Sequence, residues 1–279
     1  MGKAAPKVTL VRILVTNDDG ISSPGLHALV VAVAEAGYEP VVAAPSDDWS
    51  GASACLGPLD DPDRVPLERV EIPGLVGFVD NVFSVGAPPA LISMLADLGG
   101  FGPRPELIVA GINRGPNTGR STLFSGTIGA VLAGERFGLS GMAVSADVPV
   151  TGGTGAIGAP GHVHWETSAA LAGTVLPWLV GAPPRTVLNL NAPDLPLVEL
   201  QGVCWASLAP VGGVRTVITR RDDNGLHLEL VDNHDSMPED SDTALVRNGW
   251  ATVTPLTATG AAEVMLPVDE WERALVPRD

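Results

Sequence analysis

Two adjacent carboxylates, Asp18 and Asp19, follow the apolar run Arg12 to Thr16 within Asn17-Asp18-Asp19-Gly20. Neighbouring carboxylates repel unless a cation or a shared proton relieves them. A hard divalent ion, magnesium or manganese, takes oxygen ligands, and two Asp carboxylates with a Ser hydroxyl, an Asn carbonyl and water suit it. Capping the next helix is the ordinary role of such a pair. What favours chemistry is company: Asp47-Asp48-Trp49-Ser50-Gly51-Ala52-Ser53 and Asn113-Arg114-Gly115-Pro116-Asn117 are two further polar loops. Asn113 and Asn117 flank a Gly-Pro turn, so bonding to nearby backbone is their default. The alternative makes one a metal ligand and the other a donor to phosphate.

Ser125-Gly126-Thr127 opens a helical pattern, and a helix N-terminus offers free N–H groups and positive potential to an anion. Gly126 permits close backbone approach, although Ser125 alone would be an ordinary N-cap. His162 and His164 have the look of a metal pair, but they stand between a Gly-Pro turn and a helix start with no third ligand close in sequence. We read them as capping or solvent-facing. His234, amid Asp232, Asp235 and Asp240, reads as a solvated loop residue.

These loops meet only if each follows a strand whose carboxyl end lies on one sheet edge, where open α/β sheets bind ligands. The pattern supplies such strands. Arg12 to Thr16 predicts a strand, apolar residues at 26, 29, 30, 33 and 34 after Pro24 predict an amphipathic helix, and Glu39 to Ala44 predicts a second strand. Alternation continues with strands at Glu106 to Ile112, Gly141 to Ser145 and Thr186 to Leu190, and helices at Gly126 to Phe137 and Trp165 to Val180. The stretch Pro45 to Val70, rich in Pro, Gly, Asp and Ser, reads as a functional loop. Beyond residue 195 the β-rich runs Val214 to Thr219, Leu226 to Val231 and Ala251 to Thr254 predict hairpins. The expected architecture is a Rossmann-like, doubly wound, mostly parallel α/β sheet over 1–195 and a C-terminal β-hairpin arm over 196–279. An exposed arm of this kind covers a neighbour or pairs with its twin, which predicts a homo-oligomer.

Composition narrows the partners. Acidic residues outnumber basic ones 32 to 16 and the net charge is −16, which opposes duplex nucleic acid. A small anion stays open, because a metal and backbone N–H groups create positive potential locally. Cys55 and Cys204 form neither a disulfide framework nor a zinc spacing, so a reducing compartment is expected. No uninterrupted apolar stretch reaches the ~18 residues of a membrane span. The run Val8 to Val15, broken by Arg12 and lacking a small-residue cleavage site, reads as core strand rather than leader.

The segments ILVTNDDGISSPG, VVAAPSDDWSGASA and LIVAGINRGPNTGRSTLFSGTIGAVLAGERFGL, then LNLNAPDLP and SDTALVRNGWATVTPL, resemble the SurE (stationary-phase survival) family in order and spacing. The resemblance implies a cytoplasmic phosphatase for nucleoside 5′- and 3′-monophosphates, with one divalent ion, magnesium or manganese, per subunit. It implies Asp18, Asp19, Ser50 and Asn113 as metal ligands. Asn17, Asn117, Ser125, Gly126 and Thr127 would surround the phosphate, and Asp18 and Asp19 would be catalytic. It also implies dimers or tetramers joined through a swapped C-terminal arm. Where the family carries a Gly-Thr-Pro-Ala-Asp-Cys-like segment, this chain reads Gly86-Ala87-Pro88-Pro89-Ala90, losing a hydroxyl and a carboxylate near the nucleoside.

Asp19 is the expected orienting group or base for an attacking water, and Asp18 chiefly a ligand. A haloacid-dehalogenase-like phosphatase is a rival that requires Asp-x-Asp rather than Asp-Asp. A nucleotide-binding regulator without turnover, or a phosphatase for a specialised sugar or nucleotide phosphate, would also account for the altered 86–90 segment.

Overall fold

A computed structural model describes residues 10–148, 162–233 and 235–258. The chain begins with β1 (Arg12–Thr16), α1 (Pro24–Glu35) and β2 (Glu39–Pro45), then β3 (Leu67–Arg69), β4 (Val82–Val85), α2 (Pro89–Asp97) and β5 (Leu107–Arg114). It continues through α3 (Gly126–Arg136), β6 (Ser140–Asp147), α4 (Trp165–Val180) and β7 (Val187–Pro193). The last elements are β8 (Gly202–Trp205), β9 (Val214–Asp222), β10 (Gly225–Asp232), α5 (Asp242–Arg247) and β11 (Trp250–Leu256).

Nine strands form one sheet in the order β3-β4-β2-β1-β5-β6-β7-β11-β8. The six from β4 to β7 run parallel, β3 and β11 are antiparallel to their inner neighbours, and β8 is parallel to β11. Helices on both faces bury most of the parallel strands, β1 and β7 throughout, so these read as continuous apolar runs. Residues two apart along a strand share a face. Ile13 and Val15 therefore join Leu26, Leu29 and Val33 of α1 and Leu176 and Leu179 of α4. Leu14 points the other way, to Ile92 of α2 and Ile128 and Val131 of α3. Each fully buried aliphatic side chain of this kind contributes ~1.5–3 kcal/mol of transfer free energy.

The α/β expectation holds, with two revisions. Val214 to Thr219 and Leu226 to Val231 do form a hairpin, but Ala251 to Thr254 does not. It is the centre of β11, bonded to β7 on one side and β8 on the other. Ala251 and Val253 complete the core under α1 and α4, and that burial outweighs the local hairpin pattern. The second revision is the unit β4-α2, for which the sequence reading offered no element. The strand spans only Val82–Val85, and Pro88-Pro89 resembles a breaker, yet Pro89 occupies the first helical turn, where a missing N–H costs nothing. Within the altered segment, Ala87 and Ala90 are fully buried beneath the sheet. The small side chains at these two positions serve packing.

Candidate active site

From β1 the chain proceeds to β2 and β4 on one side of the sheet, and β5 starts the other side, so the winding reverses between β1 and β5. Such a reversal leaves a crevice at the strands' carboxyl ends. Asn17-Asp18-Asp19 follows β1 and Asn113 closes β5, which places both at this crevice. The two strands are held in register from Ile13 with Leu107 to Thr16 with Ala110.

Asp18 is buried, and α3 is what holds it. Thr127 donates to it twice, from Oγ1 to Oδ1 and from its backbone N–H. A Cβ on Gly126 would lie 2.8 Å from Asp18 Oδ2, so only glycine lets the carboxylate reach the helix terminus. The Asp18 carbonyl accepts from Trp49 N–H at 2.8 Å, which ties in the loop after β2. Farther along that loop, Ser53 Oγ donates to Leu123 O at 2.7 Å. Burial raises the Asp18 pKa above 3.8 despite the bonds from Thr127, and the charge of Asp48 adds to the rise.

Asp19 stands beside it with Oδ2 buried and without a protein partner among the described residues. Desolvation first, then the charges of Asp18 and Asp48, push its pKa up to about 7, while the Arg114 backbone N–H and the Arg114 charge pull the other way. Asp48 Oδ1 accepts the Ser50 N–H at 2.7 Å, bringing Ser50 onto the exposed rim of the same loop. Asn113 spends Nδ2 on Gly115 O at 2.7 Å, which leaves its carbonyl oxygen available.

Asn117 is braced from three sides. Its N–H donates to Asn191 Oδ1 at 2.8 Å, its carbonyl accepts from Asn189 Nδ2 at 2.8 Å and Asn191 Nδ2 at 3.1 Å, and its Nδ2 donates to Ser145 Oγ at 2.9 Å. Ser125 caps α3, accepting from Ile128 N–H at 3.1 Å, which leaves its hydroxyl hydrogen free to donate elsewhere. Two residues expected around a phosphate have other duties. Thr127 is fully buried with its hydroxyl committed to Asp18. Asn17 is fully buried and donates to Gly20 O at 2.9 Å, bracing the turn in which Gly20 takes a φ of +95°.

Sequence reasoning passed over Asp48, Arg114, Ser145, Asn189 and Asn191. For the asparagines a signal was present: Leu-Asn-Leu-Asn on a strand puts Asn189 and Asn191 on one face, and two buried amides there require polar partners. His162 and His164 lie at the start of α4, the helix that follows β6, and meet a third group there, Glu166, which the sequence reading had not counted as a ligand. His234 lies outside the described residues. Next to the 116–118 turn is a cavity of about 380 Å³, bordered by Pro116, Thr118, Asp147, Asp232 and Arg247.

The pattern of the family described as Survival protein SurE matches residues 13–211. This chain belongs to the SurE family. Among its relatives is the 5′/3′-nucleotidase SurE of Photorhabdus laumondii, 34% identical over 254 residues, or 88% of this chain and 90% of the relative. The protein of that name from Yersinia pseudotuberculosis is 34% identical over 273 residues, 94% of this chain and 96% of the relative. The crystal structure of the SurE protein from Aquifex aeolicus has the same fold, with a TM-score of 0.68, 24% identity and coverage of 95% of this chain and 99% of that one. The matches to these SurE proteins each cover more of the chain than the 13–211 segment.

Proposed function

We infer that the protein is a phosphoric monoester hydrolase whose substrates are nucleoside 5′- and 3′-monophosphates, working with one divalent cation of the magnesium or manganese type. The observation that carries this reading is the Asp18-Asp19 pair. Both carboxyls are desolvated and raised in pKa, and Asp19 Oδ2 is buried with no partner among the described residues. An oxygen-rich site with surplus negative charge and an unpaired buried oxygen fits a hard divalent cation. Asp18, Asp19, Ser50 and the Asn113 carbonyl oxygen would hold it. When bound, such an ion draws charge from a phosphoryl oxygen and makes water a stronger nucleophile near neutral pH.

The chain's own groups do the rest. Thr127 and Gly126 position Asp18. Asp19 orients the attacking water and accepts its proton. The Asn117 amide, the Ser125 hydroxyl and the Gly126 N–H at the start of α3 donate to the phosphate, and the bracing of Asn117 by β6 and β7 keeps that donor from moving as charge develops. Adjacent Asp18 and Asp19 sit directly in sequence, without the spacer of the haloacid-dehalogenase pattern.

No described helix is long and apolar enough to cross a membrane. We propose that the protein works as a homodimer or homotetramer in the cytoplasm, with the β9-β10 hairpin as part of the contact. The substrate assignment is tested by phosphate release from nucleoside 5′- and 3′-monophosphates and sugar phosphates with manganese, magnesium or a chelator. Preference for the nucleotides with either ion supports it; turnover of sugar phosphates alone replaces the substrate class, and cation binding with no turnover of anything favours a nucleotide-binding regulator.

A further inference from the structure

A second group of metal-ligating side chains lies at the N-terminus of α4. His162, His164 and Glu166 each present one ligand atom, and the three atoms lie within 4.8 Å of one another. His162 Nε2 is 3.6 Å from Glu166 Oε1, one helical turn on, and the two imidazoles meet edge to face at 5.0 Å between centroids. We propose that these residues form a second cation site, chemically distinct from the Asp18-Asp19 site, that takes a borderline transition metal such as zinc.

Two imidazoles and a carboxylate are the donor set that zinc, cobalt and nickel prefer over magnesium or calcium. Zinc bonds of ~2.0–2.2 Å in a tetrahedron place ligand atoms roughly 3.4 Å apart, so the three need to close by no more than about 1.4 Å. His162 and Glu166 are mostly exposed and can turn to do so. His164 is already fixed. Asp194 Oδ1 accepts its backbone N–H at 2.8 Å and lies 3.0 Å from its Nδ1. A carboxylate behind an imidazole holds the ring in place, the outer support that metal-bound histidines use.

His164 also occupies the N-cap position of α4, yet its side chain makes no capping bond. Its ring therefore has no competing role in the helix. The positive end of the helix opposes a cation there, and the carboxylates of Glu166 and Asp194 offset that field. With three protein ligands the ion keeps one position for water. Occupancy would clamp residue 162 to the first turn of α4 and to the segment after β7. The next residue, Trp165, lies close to Gly25 at the start of α1, where an added Cβ would come within 3.0 Å of its ring. The site thus stiffens the α1-α4 side of the fold without donating a ligand to the crevice.

The test is titration of tag-free, metal-stripped protein with cobalt(II), read by the intense visible bands of tetrahedral cobalt, with zinc-dependent thermal shift as a second readout. The wild type and Asp18→Asn should both develop the bands and gain thermal stability with zinc. His162→Ala, an exposed change with little reach into the core, should weaken cobalt binding at least tenfold, and His162→Ala/His164→Ala should abolish both signals while magnesium-dependent phosphate release persists. A wild type without tetrahedral bands overturns the proposal, as do bands that survive in His162→Ala/His164→Ala or disappear in Asp18→Asn.

Discussion

Gly126 is dictated by a carboxylate distant in sequence. With Asp18 Oδ2 only 2.8 Å from where its Cβ would be, Gly126→Ala must displace either the carboxylate or the first turn of α3. The expected cost is ~1–3 kcal/mol of stability and at least about a hundredfold in turnover, read from thermal unfolding and phosphate release. A variant with wild-type turnover would show that Asp18 tolerates displacement. Asp147 supplies a pH signature. Burial, reinforced by Asp232 and Asp194 and opposed by Arg247, raises its pKa from 3.8 to about 6. Between those values the folded chain keeps a proton that the unfolded chain has released. Stability from this group is therefore fullest below about pH 4, falls as pH rises to about 6, and is level above, a loss of at most about 3 kcal/mol. Asp147→Asn removes that loss, so urea unfolding should show the variant gaining on the wild type from pH 4 to 6.5; parallel curves would refute the assignment.

At the scale of elements, the loop after β5 is only as rigid as β7 makes it. Asn191 supplies the acceptor for Asn117 N–H and a donor for its carbonyl. Asn191→Leu keeps the strand's shape and strands a buried N–H, which costs ~1–3 kcal/mol. The expected kinetic effect is a rise in KM of about tenfold or more, and an unchanged KM would detach Asn117 from substrate binding. This brace also explains what the sequence made legible. The Asp-Asp pair, the polar loops after strands and the parallel core were readable because each is local: one run, one turn, one periodicity. Dependence of Asp18 on Thr127, or of Asn117 on Asn189 and Asn191, joins residues more than 70 positions apart, and no local pattern encodes which partner arrives. β11 was misread for the same reason, since its place between β7 and β8 is decided by the core beneath it.

For the whole molecule, the β9-β10 hairpin forms a sheet of its own, separate from the nine-stranded one. Ile218, Leu226 and Leu228 are 54–60% exposed on it, a cost in water that a second copy of the chain would remove. Leu226→Asp/Leu228→Asp should therefore shift the assembly to monomer in light scattering, with the unfolding transition of the main sheet kept. A wild type that is already monomeric would refute assembly through this arm. The overall charge of −16 matters on the same scale, because it draws divalent cations toward the molecule while leaving phosphate esters to local donors.

The central claim is that Asp18 and Asp19 hold a divalent cation on which phosphate ester hydrolysis depends. Its most direct test is phosphate release from a nucleoside monophosphate, in manganese and in chelator, by the wild type and by Asp18→Asn, with circular dichroism confirming that both are folded. The account predicts release by the wild type only with manganese and a loss of at least about a thousandfold in the variant. Release that survives chelation, or that a folded Asp18→Asn sustains at the wild-type rate, would contradict it.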